Sequence, residues 1–255
     1  MNLNEMGTVK QDFLRIFGNS AERVLIRCEQ EFQSVKDISQ LDLAKFIDHT
    51  LLKPDATIDA VERLCNDAMR FAVASVCVNS CFVKIASDRL QGSSVVVAAT
   101  VGFPLGAMGS DAKAYEAQWA ESQGAREIDM VLPIGALKVD DLEAVLNDIS
   151  KVRMAIGLGT VLKVIIETAY LTDREKVLGA LVSIMAGADF VKTSTGFAAE
   201  GATISDVLLL RQVVGGSVGV KAAGGIRTLA EAQALVVAGA DRLGTSHTQV
   251  ILGKT

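Results

Sequence analysis

The sequence predicts a barrel of eight parallel strands alternating with helices, the (β/α)8 or TIM barrel of the α/β class, preceded by a helical extension. From Leu41 onward, short apolar segments alternate with segments of helical periodicity, with no long structureless loop between them. The length of 255 residues suits a single barrel, because one such barrel commonly takes about 250 residues. A repeated junction, in which glycine ends a helix and a strand follows, occurs at Gly124-Ala-Arg-Glu-Ile, Gly187-Ala-Asp-Phe-Val and Gly239-Ala-Asp-Arg-Leu.

Residues 1–40 are predicted to form the helical extension, and residues 41–255 the catalytic barrel. Within the extension, clustered apolar residues predict an amphipathic helix with a break near Gly18-Asn19. These apolar residues are Phe13, Leu14, Ile16, Phe17, Val24, Leu25 and Ile26. We expect the extension to pack on the barrel or on a neighbouring subunit.

The elements of the barrel follow in chain order. The predicted strands are Lys45–His49, Ala74–Val78, Val95–Val101, Glu127–Val131, Leu162–Ile166, Phe190–Lys192, Gly219–Ala222 and Arg242–Gly244. The predicted helices are Asp59–Phe71, Asp111–Gln123, Asp140–Ile156, Asp173–Met185, Ser205–Val214 and Leu229–Ala238. Thr172 and Thr228 are expected to cap the helices that follow them, and Glu231 completes a capping box with Thr228.

Composition excludes several classes of function. A net charge of −5 and an aromatic content of 5% argue against a nucleic-acid-binding or anionic-membrane-binding protein. No apolar run reaches the roughly 18 residues of a membrane helix, and the N-terminus lacks the apolar segment of a signal peptide. The four cysteines show no C-x-x-C spacing, which predicts free thiols and a cytoplasmic location. With only His49 and His247, no metal site is expected.

Two lysines are the most informative residues. Lys192 and Lys221 each end an apolar strand, and each is followed by small residues and glycine. Functional groups of such barrels gather where the strands end. A buried lysine beside a second ammonium has its neutral, nucleophilic form favoured, which suits Schiff-base chemistry on a carbonyl substrate. The alternative is that the two lysines are surface charges at strand ends, the usual position of lysine.

Strand alternation predicts further polar groups inside the barrel. Lys163 shares a face of its strand with Glu167, which suggests an interior ion pair or proton relay. Asp129 shares a face with Glu127. Acids inside a barrel are costly unless they are paired, and the lysines supply partners. The alternative is a buried ion-pair network without chemistry.

Three glycine-containing turns follow the late strands and predict a phosphate site, because glycine lets backbone N–H groups approach an anion. The turns are Thr195-Gly196, Gly224-Gly225-Ile226-Arg227 and Gly244-Thr245-Ser246. The phosphate candidates are Gly196, Gly224, Gly225, Arg227, Gly244, Thr245 and Ser246. Four other residues near strand ends are expected to contact the substrate, namely Asp48, Cys77, Lys163 and Thr193.

Seven runs, spread in order over residues 41–250, resemble the deoxyribose-phosphate aldolase family of class I aldolases. They are Phe46-Ile-Asp-His-Thr-Leu-Leu-Lys-Pro54, Val76-Cys-Val-Asn79, Val101-Gly-Phe-Pro-Leu-Gly106, Glu127-Ile-Asp-Met-Val131, Leu162-Lys-Val-Ile-Ile-Glu-Thr168, Val191-Lys-Thr-Ser-Thr-Gly196 and Lys221-Ala-Ala-Gly-Gly-Ile-Arg-Thr228.

The resemblance implies reversible cleavage of 2-deoxy-D-ribose 5-phosphate to D-glyceraldehyde 3-phosphate and acetaldehyde, as in deoxyribonucleotide catabolism. It implies that Lys192 forms the Schiff base, that Lys221 lowers its pKa, and that Asp129 acts as acid and base with Lys221 through a bound water. It further implies no metal or organic cofactor, a small phosphorylated sugar as substrate, and a homo-oligomer, dimer or tetramer. Some relatives have a basic residue where this chain has Phe197.

Three other functions remain open from the residues alone. The first is a Schiff-base aldolase that acts on a different sugar phosphate. The second is a phosphate-binding isomerase, in which the lysines only bind charge. The third is a barrel without catalysis that serves as a binding or regulatory protein.

Overall fold

Eight parallel strands close into a barrel in the computed structural model, which describes residues 1–32 and 41–253. Each strand pairs in parallel with its neighbours in chain order, and the last pairs with the first. The strands are β1 (Ile47–Leu51), β2 (Ser75–Asn79), β3 (Val96–Val101), β4 (Glu127–Val131), β5 (Val161–Ile165), β6 (Phe190–Lys192), β7 (Gly219–Ala223) and β8 (Arg242–Thr245). The predicted fold is confirmed, and the strand bounds differ from the prediction by at most a few residues.

Within the described residues, an initial pair of helices precedes the barrel, and one helix then follows each strand, except that two helices lie between β4 and β5. They are α1 (Leu3–Phe17), α2 (Asn19–Cys28), α3 (Ile58–Phe71), α4 (Val83–Arg89), α5 (Ser110–Ser122), α6 (Ile134–Lys138), α7 (Leu142–Ala155), α8 (Asp173–Met185), α9 (Ile204–Val214), α10 (Leu229–Val237) and α11 (Thr248–Leu252). The prediction missed α4, α6 and α11, because helices this short show too few turns for an apolar period. The segment predicted as Asp140–Ile156 begins later, with Asp141 as its N-cap.

Side-chain caps fix the starts of two helices that follow strands. The Thr172 and Thr228 hydroxyls accept the backbone N–H groups of Glu175 and Glu231, and each glutamate accepts the threonine's backbone N–H in return. Both predicted caps are confirmed. Because such a cap satisfies two otherwise unpaired backbone groups, it fixes where the preceding loop ends and the helix begins.

Alternation along the strands separates two environments. Apolar strand residues such as Val76, Ile128 and Leu162 belong to the buried cluster that packs against the helices. Full burial of one such side chain contributes about 1.5–3 kcal/mol. The intervening positions, such as Asp129 and Lys163, face the barrel axis and are also fully buried. The strand pattern therefore places charged groups inside the barrel and the apolar core outside it.

The N-terminal helices pack on the barrel of their own chain. Both α1 and α2 contact α8, and Phe13 of α1 is fully buried. The predicted break is observed at Gly18, whose φ of 54° is accessible to glycine without strain. A boundary at residue 40 remains a prediction, since residues 33–40 lie outside the described part of the chain, as do Lys254 and Thr255. No helix within the described ranges has the length and apolar character needed to cross a membrane.

Candidate active site

Six charged side chains inside the barrel form a closed ring in which acids and bases alternate. We call this set the charge ring: Asp48, Lys221, Asp129, Lys163, Glu127 and Arg242. Lys221 and Lys163 donate to opposite oxygens of Asp129, at 2.7 Å from Oδ2 and 2.9 Å from Oδ1. Arg242 closes the ring by contacting Asp48 and donating to Glu127 Oε1 at 2.8 Å.

The strand register brings the ring together. Asp129 lies beside Lys163 across β4 and β5, and Lys221 lies beside Arg242 across β7 and β8. Asp129, Lys163 and Lys221 are all fully buried. An isolated buried charge is strongly unfavourable, so these groups are tolerated because each has at least one partner of opposite sign.

Lys192, the last residue of β6, lies next to the ring. Its Nζ atom donates to Asp129 Oδ2 at 2.7 Å, and it lies beside Lys221 across β6 and β7. Burial lowers the pKa of Lys192, and the Lys221 ammonium lowers it further, against the attraction of Asp129. The structure thus confirms that the two lysines are neighbours, and it favours the neutral amine of Lys192.

Two members of the ring are held in their ionised forms. Burial opposes the charge of Asp129, but three neighbouring lysines outweigh it and hold the pKa of this carboxyl well below its usual range. Burial likewise opposes the charge of Lys221, but the carboxylates of Asp129 and Asp48 outweigh it and raise the pKa of this ammonium. The ring contains three acids and three bases, so it has no net charge when every member is ionised. A proton on Lys192 would add one positive charge beside this balanced ring.

A cavity of about 370 Å³ opens at the carboxyl ends of β1, β6, β7 and β8. Of the three interior lysines that contact Asp129, only Lys192 lines this cavity. Seven phosphate candidates line it with Lys192: Gly196, Gly224, Gly225, Arg227, Gly244, Thr245 and Ser246. The structure therefore brings the candidate nucleophile and the candidate phosphate turns to one site.

Thr195 and Ile226, which belong to the predicted glycine turns, also line the cavity. The sequence prediction missed its other lining residues, which are Thr50, Leu51, Leu52, Lys53, Phe197, Ala223 and His247. The lining residues after β1 could have been predicted from the sequence, because all βα loops of such a barrel lie at the end where the active site forms. Arg242 was missed as a ring member, although its alternation with Gly244 places both on one face of β8.

The remaining predicted site residues do not line the cavity. Asp48, Lys163, Lys221 and Asp129 lie in the charge ring, and Cys77 Sγ is 4.0 Å from Asp129 Oδ2. Burial raises the pKa of the Cys77 thiol, as does the charge of Asp129, so its neutral form is favoured. Thr193 is also buried.

The Thr193 hydroxyl connects the ends of two strands. It accepts the N–H of Ala223 at 3.2 Å, and its Oγ1 lies 3.4 Å from the carbonyl oxygen of the same residue. Its position fits a role in the wall of the site rather than a contact with substrate.

Two sequence-based details need correction. Glu167 does not pair with Lys163, because β5 ends at Ile165 and Glu167 turns away with a φ of +58°. Its carboxylate instead accepts the backbone N–H of Thr195 at 3.2 Å and the Thr195 hydroxyl. Lys221 donates directly to Asp129 Oδ2 at 2.7 Å, where the resemblance implies a water between the two residues.

The turn after β7 is suited to bind an anion. Gly224 and Gly225 have φ values of +85° and +79°, which glycine adopts readily. Within the described part of the chain, the N–H groups of Gly224, Gly225 and Ser246 have no hydrogen-bond acceptor. Backbone donors that converge on a cavity in this way bind phosphate groups in many barrels.

Across residues 1–32 and 41–253, no group of three or more His, Cys, Asp or Glu side chains is placed to hold a metal ion.

Comparisons with known proteins agree with this geometry. Residues 43–249 match the family model described as DeoC/LacD family aldolase. A deoxyribose-phosphate aldolase of Streptococcus gordonii is 52% identical over 83% of this chain and 96% of its own. One from Coprothermobacter proteolyticus is 50% identical over the same shares. The tetrameric deoxyribose phosphate aldolase of Aeropyrum pernix superposes with a TM-score of 0.79 at 33% identity, covering 91% of this chain and 97% of its own. The chain belongs to the DeoC/LacD aldolase family.

Proposed function

We propose that this protein is a class I aldolase that reversibly cleaves 2-deoxy-D-ribose 5-phosphate to D-glyceraldehyde 3-phosphate and acetaldehyde. The observation that supports this most directly is the position of Lys192. It is a buried lysine of lowered pKa that lines a cavity, beside glycine turns whose N–H groups have no acceptor in the described part of the chain. The substrate follows from the names of relatives that are about half identical over most of their length.

The covalent step uses the neutral amine of Lys192. Its nitrogen attacks C1 of the open-chain aldehyde, the carbonyl oxygen takes up a proton, and loss of water gives a protonated imine. The C2–C3 bond then breaks, its electron pair forms an enamine, and the C3 hydroxyl loses its proton to become the aldehyde of glyceraldehyde 3-phosphate. Protonation of the enamine at C2 and hydrolysis release acetaldehyde and restore Lys192.

Asp129 is the group best placed to stabilise the cationic intermediates. Its Oδ2 atom lies 2.7 Å from Lys192 Nζ, so the positive imine would form beside a carboxylate. The same oxygen accepts Lys221, which connects the reacting nitrogen to a second proton donor. We assign proton transfer to Asp129 and Lys221 on this basis. Because its pKa is held low, Asp129 would hold a proton only briefly while it passes that proton between Lys221 and the reacting groups at Lys192.

The phosphate is assigned to the turns after β6, β7 and β8. The N–H groups of Gly224, Gly225 and Ser246, which have no acceptor among the described residues, supply donors, and Arg227 adds a cation. The Phe197 ring packs edge-to-face on Phe103, with ring centroids 5.4 Å apart, and forms an apolar part of the wall. Phosphate binding would therefore rest on backbone groups and rim cations.

The association state and location are further parts of the proposal. We infer a homo-oligomer, a dimer or a tetramer, and the aldolase of Aeropyrum pernix, a solved relative, is described as tetrameric. A cytoplasmic location is proposed because free cysteines persist in a reducing compartment.

A turnover assay tests the proposed function. Purified protein is given 2-deoxy-D-ribose 5-phosphate, and glyceraldehyde 3-phosphate and acetaldehyde are both quantified. We expect the two products in equal amounts and no turnover by Lys192→Ala that retains the fold. Equal activity of Lys192→Ala, or isomerisation without release of acetaldehyde, would overturn the proposal and favour a phosphate-binding isomerase.

A further inference from the structure

Arg242 and Glu127 are charged groups that the chemistry above does not use. Arg242 lies at the start of β8 and Glu127 at the start of β4, whereas the cavity opens at the opposite, carboxyl ends of the strands. Neither residue lines the cavity. Their position therefore excludes direct contact with a substrate bound there.

Both residues are nevertheless joined to the reacting lysine through contacts. Arg242 contacts Asp48 and donates to Glu127 at 2.8 Å. Glu127 contacts Lys163, which donates to Asp129 at 2.9 Å, and Asp129 accepts Lys192 at 2.7 Å. Burial is nearly complete, since Glu127 is 4% exposed and the Arg242 side chain 15%. Solvent therefore screens these charges far less than it screens surface charges.

We propose that Arg242 and Glu127 are positioning residues that set the charge state of Lys192 by balancing the charge ring. This proposal rests on the proposed function, because it assumes that Lys192 is the imine-forming residue. With all six members ionised, the ring is neutral, and a proton on Lys192 adds one positive charge next to it. Removing the charge of Arg242 leaves one excess negative charge, which a proton on Lys192 would compensate. Removing the charge of Glu127 leaves one excess positive charge, which makes that proton less favourable.

Other charged groups near Lys192 stay the same in this comparison. Asp129 contacts Lys192 and Lys221 lies beside it, and neither is altered. Cys77 is favoured as a neutral thiol, and the Glu167 carboxylate accepts a hydrogen bond from Thr195. Three basic groups at the cavity rim also stay unchanged, namely Lys53, Arg227 and His247. Differences between variants therefore report the charge that was removed.

The test measures imine formation against pH with acetaldehyde as the probe. Acetaldehyde and cyanoborohydride are added at a series of pH values that runs downward from the ordinary pKa of a lysine side chain. Mass spectrometry then follows the rate at which Lys192 gains an ethyl group. The reagent's own pH dependence is common to all variants. The variants are Arg242→Gln, Glu127→Gln, the double variant, and Arg242→Lys as the control that keeps the charge.

The two single variants are expected to shift in opposite directions. The midpoint of the profile should rise by about one pH unit in Arg242→Gln and fall by about as much in Glu127→Gln, as a single charge acting through a partly polar interior allows. The double variant and Arg242→Lys should lie near the wild type. If Arg242→Gln does not fold, the double variant should still lie above Glu127→Gln by the same interval.

Two kinds of failure are distinguishable. Shifts of the same sign, or unshifted profiles in folded variants whose wild type is ethylated at Lys192, would overturn the charge-balance proposal alone. Absence of any adduct at Lys192 in the wild type would instead overturn the proposed function, and this inference with it.

Discussion

Lys192 and Lys221 share a single oxygen atom, since the Nζ atom of each lies 2.7 Å from Oδ2 of Asp129. The two lysines are also paired in the register of β6 and β7. Burial and the Lys221 charge lower the pKa of Lys192, whereas the carboxylates of Asp129 and Asp48 outweigh burial and raise the pKa of Lys221. The pKa values of two neighbouring lysines are thus shifted in opposite directions, which distinguishes the candidate nucleophile, Lys192, from the protonated lysine beside it.

Lys221→Leu should raise the pKa of Lys192, because it removes a positive neighbour and leaves the charge ring with an excess negative charge. Imine formation requires the neutral amine, so its rate rises as the pH passes upward through the Lys192 pKa. The midpoint of that rise should move up by about one pH unit in the variant. The pH profile of borohydride trapping measures this midpoint. An unshifted midpoint with lost turnover would mean that Lys221 acts mainly in proton transfer.

Asp129→Asn should lower turnover by about 10²–10⁴-fold, the usual contribution of a general acid–base group. It should also lower the free energy of unfolding by about 3–5 kcal/mol, because three lysines lose a shared buried partner. Turnover is measured well below the melting temperature of the variant, and stability by denaturant unfolding. A loss of turnover below about tenfold, with a large loss of stability, would assign Asp129 a structural role only.

Gly224→Ala should weaken use of the phosphorylated sugar. An added Cβ would lie 3.0 Å from Gly201 Cα and 3.2 Å from Gly196 Cα, and the φ of +85° is strained for alanine. We expect kcat/KM for 2-deoxyribose 5-phosphate to fall about tenfold, equivalent to the ~1–2 kcal/mol of that strain. The value for 2-deoxyribose itself should change little.

Gly92→Ala is the matched control for Gly224→Ala, because Gly92 has a φ of +83° and its added Cβ would have no atom of residues 1–32 or 41–253 within 4 Å. Its strain lies away from the cavity, so both sugars should be used as by the wild type. Equal losses for both sugars in Gly224→Ala would contradict a phosphate site at this turn.

Glu167→Gln should raise KM more than it lowers kcat. Glu167 accepts both the N–H and the hydroxyl of Thr195, and Thr195 lines the cavity next to Gly196. The hydroxyl of Thr195 in turn accepts the N–H of Phe197 at 3.1 Å, so one carboxylate fixes the whole turn. Loss of a buried hydrogen bond of this kind costs about 1–3 kcal/mol. A double-mutant cycle with Thr195→Val tests whether Glu167 acts on substrate binding through Thr195. Additive effects on KM would show that the two residues act separately.

The sequence was sufficient for the strand positions and for the neighbouring lysines, because both depend on local pattern and on the order of strands in a closed barrel. It was not sufficient for partners across the barrel. Arg242 on β8 contacts Glu127 on β4, on the opposite side of the barrel, and no local period encodes such a contact. Glu167 was misassigned because strand alternation was extended two residues past the end of β5, where a left-handed turn reverses the side chain.

Mapping the trapped adduct tests the central claim most directly. Wild-type protein is mixed with 2-deoxy-D-ribose 5-phosphate, reduced with borohydride, digested and sequenced by mass spectrometry. We expect a reduced adduct on Lys192, which lines the cavity, and none on Lys163 or Lys221, which lie in the charge ring. An adduct on either of those two lysines in active protein, with Lys192 unmodified, would contradict that claim.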